Sequence, residues 1–154
     1  MEQQFINNNN SKIIAIDFDG TIVEHDYPRI GREMLFAFST IKELHKRGHR
    51  LILFTYRTGN LLDEAVEYCR KNGVEFYAVN KNFPEEEFNN DVPRKLNADV
   101  FIDDRNIGGF LGWSTIWQIL HPDGGDFNHM VKNPEAHNNY KQDRGFFKKL
   151  FKKK

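Results

Sequence analysis

Short apolar runs alternate along this chain with longer stretches in which apolar residues return every three or four positions. Lys12 to Asp17 is a β-branched apolar run that stops abruptly at carboxylates and Gly20, the pattern of a buried strand followed by a loop. From Gly31 to Arg47 the apolar positions Met34, Leu35, Phe38, Ile41 and Leu44 keep helical spacing, and Gly48 closes the segment. Arg50 to Thr55 repeats the strand pattern and Leu61 to Asn72 the helix pattern, with Gly73 as terminator. Glu75 to Val79 and Asn97 to Ile102 are predicted as third and fourth strands, and Trp113 to Leu120 as a helix. This alternation predicts an α/β fold, a Rossmann-like three-layer α/β/α sandwich with a mostly parallel central sheet. Ligands collect beyond the carboxyl ends of the strands in such sheets. Polar residues stand at those ends: Asp17 and Asp19 after the first strand, Thr55 after the second, Asp103 and Asp104 after the fourth.

Composition sets the scale of this picture. A chain of 154 residues fits one ordinary domain, expected over residues 12–140, after a polar, Asn-rich leader over 1–11 that is expected to be disordered. Fourteen Phe within 39% hydrophobic residues supply a core. No apolar run approaches the roughly 20 residues of a membrane-spanning helix. The first twelve residues lack the apolar core of a secretion signal, and the single Cys69 has no disulfide partner within the chain. A cytoplasmic protein is the expectation. The formal net charge of zero hides an asymmetry, because residues 141–154 carry seven Lys/Arg against one acidic residue and leave the body at −6. An acidic body speaks against nucleic-acid binding. The tail, with Phe146, Phe147, Leu150 and Phe151 among its lysines, is either a frayed terminus or a weak contact with an anionic membrane.

Asp17-Phe18-Asp19-Gly20-Thr21 is the strongest chemical signal. Two carboxylates two residues apart at a strand end could share a divalent cation, and oxygen-only donors suit magnesium. One carboxylate could attack while the other handles a proton, provided the chain bends beyond Asp17, which Gly20 permits. An apolar strand followed by this pentapeptide resembles the first motif of haloacid dehalogenase (HAD) phosphatases. Thr55, ending Leu51-Ile52-Leu53-Phe54-Thr55, is similar to the Ser/Thr of the second motif, Lys95 to the basic residue of the third, and Val100-Phe101-Ile102-Asp103-Asp104 to the acidic fourth. The resemblance covers Ile13 to Gly109. It implies an aspartyl-phosphate on Asp17, with Asp19 as general acid and then base. It also implies magnesium held by Asp17, Asp104, Asp103 and the backbone carbonyl of Asp19. Lys95 would neutralise Asp17 and the phosphate, with Lys81 as its rival. Thr55, with Tyr56 and Gly20 in the adjoining turns, would bind phosphoryl oxygens. Arg57 is placed either to fork onto an anionic substrate group or to form a structural ion pair.

Neither interval in which this superfamily inserts a cap is long here, so the resemblance implies a HAD-like domain without a large cap. Its open site would suit a bulky or macromolecular phosphorylated substrate, or a homo-oligomer in which a neighbouring subunit supplies the lid. Two segments could partly replace a cap: the flap Ile22 to Ile30, with His25, Tyr27 and Arg29, and the acidic loop Asn82 to Asp91. Glu85 to Glu87 either repel polyanions or simply form a solvated loop. His121, His129 and His137 are too widely spaced for an ordinary zinc site. Cys69 is expected as a small core residue, and Trp113 with Trp117 as one helical face packed on the sheet. Two other functions compete with a hydrolase. A signalling phosphoacceptor like a receiver domain would carry its phosphorylated Asp after the third strand, but this strand ends Val79-Asn80-Lys81. A degenerate, non-catalytic phosphate-binding module need not keep all four carboxylates.

Overall fold

The computed structural model describes residues 11–122. The elements are β1 (Ile13–Ile16), α1 (Ala37–Lys46), β2 (Arg50–Leu53), α2 (Gly59–Lys71), β3 (Ala78–Val79), β4 (Val100–Ile102) and α3 (Trp113–Leu120). The four strands form one parallel sheet in the order β3-β2-β1-β4, with Ala15 paired to Ile52 on one side and Phe101 on the other. This is the Rossmann-like α/β fold that the alternation predicts. A receiver-type sheet runs 2-1-3-4-5, with β1 beside β3. Here β3 lies at the edge, away from β1.

Alternation along each strand divides the core between two faces. Ile14, Ile16, Leu51 and Leu53 are fully or almost fully buried, as are Ala37, Phe38, Ile41 and Leu44 of α1 and Ala65 and Cys69 of α2. Both crossovers, β1-α1-β2 and β2-α2-β3, step the same way along the sheet, and right-handed connections then place both helices over one face. The rings of Phe18, Phe38 and Tyr68 meet there, Phe18 edge-on to Tyr68 at 6.2 Å. On the other face, Ala15, Ile52 and Ala78 cluster with Leu96 from the β3–β4 connection, flanked by Ile13, Phe54, Ala98 and Phe101. Cys69 is buried as expected, and burial pushes its thiol up to about 12, which suits a packing residue rather than a nucleophile.

Helix α1 begins six residues later than its apolar spacing predicts. Residues 31–36 instead pair back onto the chain after β1: Glu24 donates its amide to the Arg32 carbonyl at 2.7 Å, Met34 donates to Ile22 at 2.8 Å, and Val23 bridges Glu33. Ile22 and Val23 are fully buried, so their backbone groups need partners; this pairing supplies the Ile22 carbonyl, while the Ile22 and Val23 amides donate to Phe18 and the Val23 carbonyl accepts from Gly20. Phe36 then turns through a left-handed conformation into the helix. Met34 and Leu35, which keep the helical period, therefore lie outside it. The third strand is also shorter than predicted, beginning at Ala78 rather than Glu75.

The chain divides into two compact units, residues 1–110 and 111–154. In the second unit, Trp113 and Trp117 of α3 are both buried, and the Trp117 ring lies 4.3 Å from that of His121. His129, His137 and the basic tail lie outside the described residues, as does the leader through Asn10. No helix among the described residues is long and apolar enough to cross a membrane. Neither the connection from β1 to α1 nor that from β3 to β4 contains a further domain.

Candidate functional site

The strand order reverses direction at β1. From β1 the chain moves outward through β2 to β3, then returns to place β4 on the opposite side of β1. Diverging connections open a crevice at the carboxyl ends of β1 and β4. Asp17 follows β1, and Asp103 and Asp104 follow β4. Each of the three offers a carboxylate oxygen, and these oxygens all lie within 4.8 Å of one another. Cation ligands at ordinary magnesium–oxygen distances stand at most about 4 Å apart, so a slight closing of this cluster suffices.

Like charge accumulates in this cluster, most of all on Asp17. The Asp17 carboxyl is pushed from its ordinary 3.8 up to about 7, first by burial and then by Asp103, Asp104 and Asp19, with a backbone hydrogen bond at Phe18 opposing them. No cation is among the charges that act on it. Asp104 is likewise raised, first by burial and then by Asp103, with Arg105 and His25 acting in the opposite sense. Its Oδ1 is buried and has no hydrogen-bond partner. An orphaned carboxylate oxygen beside two others is the donor chemistry a hard divalent cation requires. Asp103 spends Oδ1 on the Arg105 amide at 2.7 Å, which turns the chain after β4 and leaves Oδ2 for a ligand.

Gly20 sets the approach of Asp104. It takes φ +84°, and a Cβ there would collide with the Asp104 carboxylate. The sequence marks Gly20 for its turn and for substrate; the structure gives it the further role of admitting the Asp104 side chain. Gly20→Ala combines left-handed strain with that collision. The expected loss is about 2 kcal/mol of stability with at least a tenfold drop in magnesium affinity, measured by urea unfolding and calorimetry.

Asp19 stands apart from the trio. Both of its oxygens accept from Arg57, Nε to Oδ2 and Nη2 to Oδ1, each at 2.7 Å. The Arg57 side chain is fully buried in this pair. Of the two roles open to Arg57, the structure shows the ion pair: its guanidinium is held by a carboxylate inside the protein.

Thr55 lies at the end of β2 and is nearly buried. Its hydroxyl oxygen accepts the Arg57 amide at 3.2 Å, which leaves the hydroxyl proton free to donate. Its own amide donates to Asn80 Oδ1 at 2.8 Å. Among the described hydrogen bonds, the Thr55 and Arg57 amides are thus committed, and the Tyr56 amide is the one in this turn that remains for an oxyanion. The Tyr56 side chain is 93% exposed.

Lys95 is exposed, and its ammonium stands 5.9 Å from the centre of the Phe101 ring; no ion pair with Asp17 occurs among the described residues. Lys81 acts on Glu86 instead. A lysine eight residues before Asp103 belongs to an irregular connection, whose path spacing alone does not specify.

Sequence reasoning passed over Asn80, which the structure makes the support of Thr55. Its left-handed φ of 52° is a conformation that Asn tolerates better than most residues, and an Asn just beyond an apolar run is the signal that was present. The acidic loop is also less uniform than its charge suggests. Glu86 is buried and accepts from the Asn82 amide and side chain, while Asn82 in turn accepts from the Asn97 amide. Those bonds hold the Glu86 carboxyl below its ordinary range. Only Glu85 and Glu87 fit the description of a solvated loop.

Neither a protein-family model nor a curated protein matches the chain. A solved structure described as that of a conserved protein coded by a locus of Bacteroides thetaiotaomicron is 54% identical. The match covers 75% of this chain and 94% of that one, with a TM-score of 0.70. The chain belongs to the same family as that Bacteroides protein. Identity at this level over nearly the whole relative fixes the fold they share, and the relative's description names no activity.

Proposed function

We propose that this chain is a magnesium-dependent phosphohydrolase of the HAD type, cleaving a phosphate monoester through an aspartyl-phosphate on Asp17. The observation that carries this reading is the convergence of Asp17 with Asp103 and Asp104 at the sheet's switch point, with no cation acting on Asp17. Three oxygen donors, one of them orphaned, fit magnesium, with Asp17, Asp103 and Asp104 as its side-chain ligands. Asp19 would add its backbone carbonyl, since its carboxylate stands apart from the trio and faces Arg57. Bound magnesium supplies the positive charge that lets an anionic phosphate approach anionic carboxylates.

The remaining chemistry belongs to the chain. An Asp17 oxygen attacks phosphorus as the bond to the leaving oxygen breaks, and that oxygen takes a proton from Asp19. Water then attacks the phosphorus of the aspartyl-phosphate and gives a proton to Asp19, releasing phosphate and restoring Asp17. Arg57 occupies one lone pair on each Asp19 oxygen, and a carboxylate has about four such sites, so acceptor capacity remains for the proton. The Thr55 hydroxyl and the Tyr56 amide are the donors available to phosphoryl oxygens. Release of phosphate from an aryl phosphate in the presence of magnesium, and its loss on chelation, tests the reading. A chain that binds magnesium yet neither hydrolyses nor becomes phosphorylated would be a binding module instead. The receiver-like alternative has no support in a β3 that is followed by Asn80 rather than Asp and lies away from β1.

Magnesium affinity is expected to depend on pH. Without metal, Asp17 holds its proton up to about pH 7, whereas the unfolded chain releases it near 3.8. Stability of the metal-free protein therefore falls as pH rises between those values, because the folded state binds the extra proton. Metal binding must displace that proton, so affinity should drop about tenfold per pH unit below 7 and level off above it. Calorimetric titrations between pH 5 and 8.5 check this, and a flat profile would remove the buried-proton account of Asp17.

A further inference from the structure

We propose that Arg57 is a positioning residue that acts through Asp19, fixing the plane of its carboxylate and fastening the 22–30 flap to it; this rests on the hydrolase reading above. Four of the five guanidinium N–H groups are committed. Nε and one Nη2 hydrogen hold Asp19, Nη1 donates to the Pro28 carbonyl at 3.0 Å, and Nη2 donates to the Arg29 carbonyl at 2.7 Å. The cation lies 5.1 Å from the centre of the Phe18 ring and 5.3 Å from that of Tyr27. Its own backbone is anchored by the Thr55 hydroxyl. One buried residue thus ties together the turn after β1, the flap and the turn after β2.

A guanidinium serving substrate directly would keep its fork open toward the crevice. This fork is closed on a carboxylate, and its remaining donors reach backward into the flap. Bidentate contact fixes rotation of the Asp19 carboxylate, which a single-point ammonium cannot do. A proton donor held in one plane meets the leaving oxygen in one geometry, and a freely turning one does so in a fraction of its orientations. The two flap carbonyls register Tyr27 and its neighbours against the same carboxylate, so a chain without a large cap still has a fixed wall beside its acid/base group.

The test is a kinetic cycle on p-nitrophenyl phosphate with magnesium, comparing wild type, Arg57→Lys, Asp19→Asn and the double variant. Arg57→Lys keeps the charge and should lower kcat by roughly 10- to 100-fold, with KM within about threefold. Asp19→Asn should lower kcat by about 100-fold or more, and the double variant should be no slower than Asp19→Asn alone, because Arg57 has then lost the group it acts through. Magnesium affinity of Arg57→Lys, measured by calorimetry, should stay within about threefold of wild type, since Asp17, Asp103 and Asp104 are not its partners.

A raised KM with unchanged kcat would place Arg57 on the substrate and overturn the proposal. So would losses that multiply in the double variant, an Arg57→Lys enzyme as fast as wild type, or an Arg57→Lys chain that no longer binds magnesium. Wild-type protein that binds magnesium but leaves p-nitrophenyl phosphate intact would instead reject the hydrolase reading, and with it the role of Arg57.

Discussion

Asp17→Asn is expected to lower magnesium-dependent release of phosphate from an aryl phosphate by roughly 10³-fold or more, because the amide cannot form the aspartyl-phosphate. The fold should persist. Asp17 is one of three carboxylates whose oxygens crowd within 4.8 Å, and burial already disfavours its charge. Removing that charge relieves repulsion, so the metal-free variant at pH 8 should unfold at a temperature equal to or above that of wild type. Magnesium should still bind through Asp103 and Asp104. Phosphate-release assays, thermal scans and calorimetry on one preparation separate these effects. An active Asp17→Asn enzyme would exclude covalent catalysis on this residue, and an unfolded one would contradict the electrostatic account of the cluster.

The largest expected effect on stability belongs to Arg57→Ala. This truncation leaves the Asp19 carboxylate, only 12% exposed, without its partner, removes the donors to the Pro28 and Arg29 carbonyls, and opens space beside the Phe18 ring. Breaking a buried ion pair by deleting one member costs about 3–5 kcal/mol, because the surviving charge stays desolvated. The melting temperature should fall by on the order of 10 °C. Asp19→Asn/Arg57→Met, which removes both charges and keeps much of the volume, should recover a substantial part of that loss. Thermal and urea unfolding of both variants decide the matter. A loss below about 1 kcal/mol for Arg57→Ala would mean that the pair is effectively solvated.

Much of the site was legible before any coordinates. Asp17, Asp103 and Asp104 follow apolar runs, and in a parallel sheet the residues just past such runs share one edge. The elements themselves were legible for the same reason, since burial imposes periodicity that composition cannot hide. The first turns of α1 misled because Met34 and Leu35 keep the helical period, while the backbone of residues 32–34 pairs with Ile22 and Glu24. Local pattern carries no record of a pairing between segments ten residues apart. The place of Lys95 was not legible for a different reason: it sits in a connection without regular structure, where spacing along the chain does not translate into distance.

The sequence by itself determined the parallel α/β sheet and the carboxylates gathered at its switch point, because both follow from which positions are apolar and what immediately succeeds them. Tertiary structure alone decided how Arg57, Asn80, Gly20 and Glu86 are used. Each of those roles depends on a partner remote in sequence or on a backbone turn: Asp19 for Arg57, the Thr55 amide for Asn80, the Asp104 carboxylate for Gly20, and the Asn82 turn for Glu86. Hydrophobic burial is written residue by residue, whereas a hydrogen bond or a steric fit belongs to a pair and exists only once folding has brought its members together.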